Sequence, residues 1–470
     1  MVDMFFKAIL FPLTIEYSKI VVCVIILSFL VVGPAQYFFG ITSAIHLPFV
    51  FAVFLYLKYF FDRTLLWRSC VGLSFGKKVY IKYLKIYALI VLVTTIYNLT
   101  NFDQLIVGFK NYLSIWSILL LFTLWNVSTE KFIYFWRLFV FVACVQLPVC
   151  LYQYFVYYNK RIISKTGGIG WDSIVGTFGG DPFGGGNSGG MAMFLVVILM
   201  YLLLCYENKI LSAKKFFIFL SCIVPAFFIA EVKIVFMVIP LAFLQIYYRT
   251  LIKRPLYIFG AIIFMALAFG YLAKTYAHRY DTRKISSLSD VFEVSFASAT
   301  DPNLLRKDTG EMGRVASVKF WWDENGFEKP VYTLIGHGLN SSRSKSSFAI
   351  GSEAKKYIYN IDNSSFVVML WDIGILGTLA YIMILVSGMH ISNRLSKDQY
   401  IDVESRVIFK SSCIFFFLTI ITLPYSRSAI DTSMVQVFLA ISLGHCAKFC
   451  KGTGENLSKK FSWLPHSFFS

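Results

Sequence analysis

Met191-Ala-Met-Phe-Leu-Val-Val-Ile-Leu-Met-Tyr-Leu-Leu-Leu-Cys205 runs without a charge, a glycine or a proline. Wound as a helix it is apolar on every face, so it has no side to turn to water and belongs inside a large core or a membrane. Extended to 188–206, it reaches the ~20 residues needed to cross a hydrocarbon layer of about 30 Å. Glu207, Lys209, Lys214 and Lys215 close one end, and a glycine-rich polar stretch precedes the other. Runs of this kind recur at 17–33, 41–57, 86–101, 111–127, 138–157, 216–230, 234–248, 256–273, 364–390, 411–424 and 432–447.

The composition agrees: 57% of residues are apolar, 15% charged, and mean hydropathy is +0.66. A soluble domain carries roughly a quarter charged residues, and a disordered chain lacks this apolar content. The expected fold is therefore an all-α polytopic membrane bundle of about twelve spans with one long, partly helical external loop. Residues 1–273 would hold spans one to nine, including a glycine-rich external loop at 159–190. Residues 274–363 would form the large external loop, and 364–470 the last three spans and a tail. The first apolar stretch has no small-residue cleavage site after it and reads as a retained span.

The net charge of +18 would suggest nucleic acid in a soluble protein. Here position matters more than sum. The basic clusters Lys58 to Lys85, Lys209 to Lys215, Arg249 to Arg254, Arg394 to Lys410 and Lys448 to Lys460 all fall on one side of a twelve-span topology. The positive-inside rule makes that side, with both termini, cytoplasmic, and the partner of the charge is the lipid bilayer rather than nucleic acid. None of the nine cysteines lies in the two long external stretches, so neither disulfides nor thiolate metal sites are expected. There is no His-Glu-x-x-His and no Asp-x-Asp for a metal-bound nucleotide sugar, so an enzyme built on this sequence is expected to use no metal or other cofactor.

Polar residues concentrate in a few places. Gly176-Thr-Phe-Gly179 opens a glycine cluster running to Gly190, which includes a literal G-x-G-x-x-G at Gly184, Gly186 and Gly189. Without a preceding strand that spacing is no dinucleotide fingerprint. Glycine does, however, let backbone approach a ligand closely or form a flexible turn, and both readings stand. Glu231 and Lys233 interrupt the apolar stretch Phe216 to Leu244. Charges at such a place mark a pathway or site, or an interfacial turn whose lysine snorkels, and the basic flanks favour the external tip of a short hairpin. The 274–363 loop carries 13 basic and 11 acidic residues. Loops that long are usually functional, and Val291 to Phe296, Val315 to Trp322 and Val331 to Leu339 suggest short helices within it. Its candidates are Arg314; His337, a base or a turn residue; and Asp362-Asn363, a catalytic pair or the cap of the tenth span. Arg427, at the outer end of the last hairpin, is another candidate cation.

In order along the chain, Gly176-Thr-Phe-Gly179, Ala230-Glu-Val-Lys233, Gly313-Arg314 with Trp321-Trp322, Ile335-Gly-His-Gly338, Asn363-Ser364 and Gly374-Ile-Leu-Gly377 resemble the bacterial O-antigen polymerase (Wzy-type) and O-antigen ligase superfamily. The resemblance covers roughly Gly176 to Arg427 and implies a metal-independent, GT-C-like membrane glycosyltransferase in the bacterial inner membrane, with its site facing the periplasm. It implies a glycan on undecaprenyl diphosphate as donor, with a chain-length regulator as a possible partner. Arg314 first, then Lys233, with Arg427, would hold the diphosphate. Asp362 or His337 would orient or deprotonate the acceptor, and Glu231, Asn363, Gly176 and Gly179 would line the substrate. Ligases carry a histidine where this chain has Asn363, and Asn takes no proton, so the resemblance favours polymerase. The alternatives are a ligase moving glycan to lipid A core and, from another class, a lipid-linked oligosaccharide flippase or transporter.

Overall fold

A computed structural model describes residues 16–61, 79–124, 127–162, 173–183, 185–230, 232, 234–253, 259–260, 263, 296–297, 300–306, 310–344 and 349–460. The chain is a helical membrane protein. Eight helices among the described residues are long and apolar enough to span a membrane. They are α1 (Tyr17–Phe39), α2 (Thr42–Phe60), α4 (Phe102–Phe122), α5 (Thr129–Ile162), α6 (Ser188–Glu207), α7 (Ala213–Ala230), α11 (Ser365–Leu395) and α12 (Val403–Thr422). Three more helices, α3 (Val79–Tyr97), α8 (Val235–Lys253) and α14 (Ser433–Lys460), fall on further expected segments, and the short helix α13 (Ser428–Asp431) precedes the last. The expected ninth segment, 256–273, lies almost wholly outside the described residues.

The opening stretch is the innermost helix. α6 is buried without interruption from Met191 to Leu202 and packs against α5, α7, α8 and α12. Lipid tails are as apolar as leucine, so burial alone does not join membrane helices; close packing does. Here rings supply it: Phe194 lies 5.0 Å from Phe29, 5.5 Å from Phe178 and 5.8 Å from Phe438.

The bundle has two chemically distinct ends. At one, Glu16 before α1 pairs with Lys131 of α5 at 2.9 Å, Arg137 of α5 meets Glu404 of α12 at 3.1 Å, and Lys448 of α14 donates to Thr129 at 2.7 Å. These exposed pairs are worth only ~0–1 kcal/mol each, but they show that the basic-flanked helix ends gather together. α12, about 30 Å long at 1.5 Å per residue, carries the chain to the opposite end. There the loop after α12, the start of α11, the loop before α6 and the outer subdomain meet.

That outer subdomain holds an antiparallel pair, β1 (Leu305–Arg306) with β2 (Glu311–Met312), in the register Leu305 to Met312. Two helices follow, α9 (Arg314–Glu324) and α10 (Pro330–Ile335). They fall on the apolar pieces Val315 to Trp322 and Val331 to Leu339.

The subdomain is held by a break in α11. Gly374 adopts φ +66°, ψ −172° inside that helix, which leaves the carbonyls of Trp371 and Asp372 to accept the amides of His337 (2.7 Å) and Gly338 (3.1 Å). The approach is backbone to backbone. A Cβ on Gly374 would stand 2.4 Å from the Leu334 carbonyl, and one on Gly336 2.5 Å from that of Asp372. The motifs Ile335-Gly-His-Gly338 and Gly374-Ile-Leu-Gly377 are thus two halves of one joint.

Candidate functional site

Arg314 opens α9, whose buried face (Ala316, Ser317, Trp321) turns toward α11. Its guanidinium donates to the backbone oxygen of Asn363 and lies 5.6 Å from the Tyr425 ring centroid. Asn363 in turn donates its amide to Met312 and Gly313 carbonyls at 3.0 and 3.4 Å. Next to it, Asp362 receives Arg427 at 2.6 Å, and Arg427 Nε stands 3.7 Å from Asp431. Arg343 closes on Asp431 at 2.5 Å. Arg314, Asp362, Asn363 and Arg427, chosen from distant points of the sequence, therefore share one cluster. Asp362 is not the helix cap: Ser364 is, accepting from the Val367 amide. That releases Asp362 to be a counterion.

Two cations of this cluster were not singled out in the sequence. Arg343 stood in a loop too rich in charge to be distinguished. Lys110 carried a readable signal, a charge within an apolar span. It lies on a π-helical turn of α4 (Lys110–Ser114), a distortion common at functional sites, and is buried, with its ammonium 4.9 Å from the Phe49 ring centroid. Burial would raise the carboxyl of Asp431, but Arg343, Arg427 and Lys110 outweigh it and hold that group below its ordinary range. Asp431 reciprocally raises Arg343 above the usual guanidinium value. Among the described residues, Arg314, Arg343, Arg427 and Lys110 thus gather about Asp362 and Asp431, with Asp372 also acting on Arg343. The side chain of Arg427 is 41% exposed against 4% for Asp362, so the outward charge of this pair is positive.

His337 stands elsewhere. Asn325 donates its amide nitrogen to the Trp321 carbonyl at 3.0 Å. That fixes its oxygen toward His337 Nε2 at 2.6 Å, so Nε2 carries a hydrogen. Nδ1 faces Glu353 at 3.4 Å, and the ring stacks on Tyr332 at 4.4 Å. With Nε2 a donor and Nδ1 turned to a carboxylate, the expectation of an acceptor-side base at His337 gives way to a brace that ties α9, α10 and the loop bearing Arg343.

Glu353, also bound by Lys356 at 2.7 Å, is raised by burial yet brought down to about 2 by His337 and Lys356. A depressed carboxylate contributes stability above its ordinary value that is lost as pH falls through the folded one. Thermal melts in detergent should therefore fall between about pH 4.5 and 2. Glu353→Gln should lower stability at neutral pH and flatten this drop; an unchanged profile would refute the brace.

Gly176 and Gly179 are buried, and the Gly176 backbone is occupied. Gln153 of α5 accepts from the amides of Val175 and Gly176 (3.0 and 2.9 Å) and donates to the Gly176 carbonyl (2.8 Å), while Gln146 accepts from the Thr177 amide. Gly33 of α1 lets the loop lie on it, since a Cβ there would come 1.9 Å from the Thr177 carbonyl. The expected ligand contact at Gly176 and Gly179 is thus replaced by an internal clamp. Their positive φ values (+56° and +81°) supply the turn. Further along, Gly186-Asn-Ser-Gly-Gly190 spells a G-x-S-x-G spacing, but it enters a membrane helix from a turn, not the strand–turn–helix of a nucleophile elbow.

The loop's cluster-facing residue is Asn187, which accepts from Ser428 at 3.1 Å and donates to Thr432 at 2.8 Å. Beside it a small recess is lined by Gly189, Met193, Ile234, Thr422, Ser426 and Ser428. Glu231 and Lys233 lie outside the described residues. No group of three or more His, Cys, Asp or Glu able to hold a metal occurs among the described residues. Neither a protein-family model nor a curated protein matches this chain.

Proposed function

We propose that the chain is a metal-independent glycosyltransferase that polymerises glycan repeat units carried on undecaprenyl diphosphate, with the cluster around Arg427 as its site. The observation that carries this reading is the gathering of Arg314, Arg343 and Lys110 with the half-exposed Arg427 at one end of a membrane bundle. A lipid diphosphate leaves readily once its developing charge meets preorganised donors, and arginine suits this by its permanent charge and forked geometry.

Asn363 Oδ1, Ser365 Oγ and Asp431 Oδ1 are buried without a hydrogen-bond partner among the described residues, and such atoms within a cluster fit a site that takes in polar groups when it opens. The cluster lies at the end away from the basic helix termini, and the positive-inside rule would put it in the periplasm, with the expected twelve spans returning both termini to the cytoplasm. Polymerase is favoured over ligase because the amide of Asn363, at the ligase histidine position, is spent on the Met312 and Gly313 carbonyls.

The chemistry in this reading is inversion or retention at a sugar carbon as the diphosphate oxygen leaves with the bonding pair. Arg427 and Arg314 bind the leaving group, and Asp362, once Arg427 turns to the substrate, takes the acceptor proton. Purified protein given undecaprenyl-diphosphate-linked repeat units without metal should produce a ladder spaced by one unit. If a ladder forms only when lipid A core is supplied, ligase replaces polymerase. If no transfer occurs with sound substrate and folded protein, the enzyme reading falls. Asp362→Asn keeps the side chain's shape and its hydrogen bond to Arg427; full activity in that variant would remove Asp362 as the base.

A further inference from the structure

The outer subdomain shows an apolar face that none of its described elements covers. Trp322 at the end of α9, Phe327 in the following turn, and Val331 and Leu334 of α10 are 42%, 88%, 42% and 46% exposed. Trp322 and Phe327 meet edge to face at 5.3 Å, and Val331 and Leu334, three residues apart, share one face of α10. A contiguous face of this kind marks an interaction site.

Its position says what covers it. Tyr332 of α10 touches Tyr97, the last residue of α3, with ring centroids 6.3 Å apart. Asn98 donates to the Gly336 carbonyl at 3.2 Å, and a Cβ on Gly338 would stand 2.7 Å from the Thr100 hydroxyl. The subdomain is therefore seated on the turn between α3 and α4. α3 presents a stripe of exposed apolar residues at Leu89, Leu92, Val93 and Ile96, continued past the turn by Leu99 (85% exposed) and Phe102 (73% exposed). That stripe is the outward surface of a helix that falls on the expected third span. Leu334 lies two residues from the Asn98-bound Gly336, and the polar layer of each leaflet is about 5–8 Å deep.

We infer that Trp322, Phe327, Val331 and Leu334 form a ledge inserted into the bilayer's interfacial layer, continuous with the lipid-facing stripe of α3, so that lipid rather than protein covers this face. Tryptophan, phenylalanine and leucine suit that depth, and the exposed Lys319 and Lys329 are offset by the exposed Asp323 and Glu328, so apolar contact rather than charge holds the ledge. The consequence is an anchor for α9 that sets the height of Arg314, its first residue, above the membrane. The lipid contact itself is independent of the reaction the chain performs.

The test places the photoreactive residue benzoylphenylalanine at 322, 327 or 334 of the full chain. The protein is reconstituted into phosphatidylethanolamine–phosphatidylglycerol vesicles doped with a clickable phospholipid. Position 92 on α3 serves as the lipid-facing standard. Irradiation should give lipid adducts at the three ledge positions at levels comparable with position 92. Lipid adducts at 92 with none at 322, 327 and 334 would overturn the inference. Chain-to-chain adducts at the ledge in place of lipid adducts would also overturn it, in favour of a second copy on this face. The substituted positions are exposed, so folding is preserved, and the adduct at 92 checks it in the same sample.

Discussion

Replacing Arg427 by alanine is expected to lower glycan transfer by about a hundred- to a thousandfold, the effect of removing one preorganised donor from a developing oxyanion. The same change leaves the Asp362 carboxylate, 4% exposed, without its 2.6 Å partner. Breaking a buried pair from one side costs about 3–5 kcal/mol, somewhat less here because Arg427 itself is partly in water. Loss of activity could thus come from either cause, and a second variant separates them. Arg427→Ala combined with Asp362→Asn removes the stranded charge. If its melting temperature recovers while transfer stays well below that of Asp362→Asn alone, Arg427 acts on the substrate. If the double variant transfers glycan as well as Asp362→Asn alone, Arg427 is only a counterion and the diphosphate reading fails at this residue. Arg427→Lys should restore charge without the fork and recover activity in part.

The second large effect is expected at a residue with no place in the proposed chemistry. Asp372, buried in α11 just before the Gly374 break, accepts from the Tyr112 hydroxyl at 2.9 Å and the Asn340 amide at 3.0 Å. It also accepts from the Ser341 hydroxyl at 3.0 Å and the Ser342 amide at 2.9 Å. These bonds hold the segment that leads directly into Arg343. Asp372→Ala strands four donors, each costing about 1–3 kcal/mol when buried unpaired. The contributions are not additive, so a total of about 3–5 kcal/mol is expected. A fall in thermal stability in detergent together with lost activity is the predicted result. Asp372→Asn keeps an acceptor and should retain part of both. An Asp372→Ala protein that melts like wild type would show that the loop is held by the Gly336–Gly374 joint alone.

The two predictions differ in how visible their residues were. Arg427 could be picked out from the chain because a charge beside an apolar run stands out against its surroundings. Asp372 carried the signal of a charge within an apolar run, but its role could not be read until Tyr112, Asn340, Ser341 and Ser342 were known to converge on it. His337 misled in the opposite way. Histidine between two glycines looks available for proton transfer, yet both its nitrogens face oxygens, of Asn325 and Glu353.

What the sequence determined by itself was the solvent of this protein and the nature of its elements. Uninterrupted apolar runs such as Met191 to Cys205 must leave water, and in lipid a backbone must satisfy its own polar groups, which leaves the helix. Gly336 and Gly374 were legible in the sequence only as members of two motifs; that no side chain fits at either was decided by the fold. Only the tertiary structure decided which charges share a site. Arg314, Arg343, Asp362, Arg427 and Asp431 meet through folding of distant segments, and Lys110 joins them from a helix near the start of the chain. Helical periodicity specifies which face of one helix is apolar, but packing between helices in lipid is set by close steric fit. Such fit depends on pairs of surfaces, and no single stretch of sequence contains both.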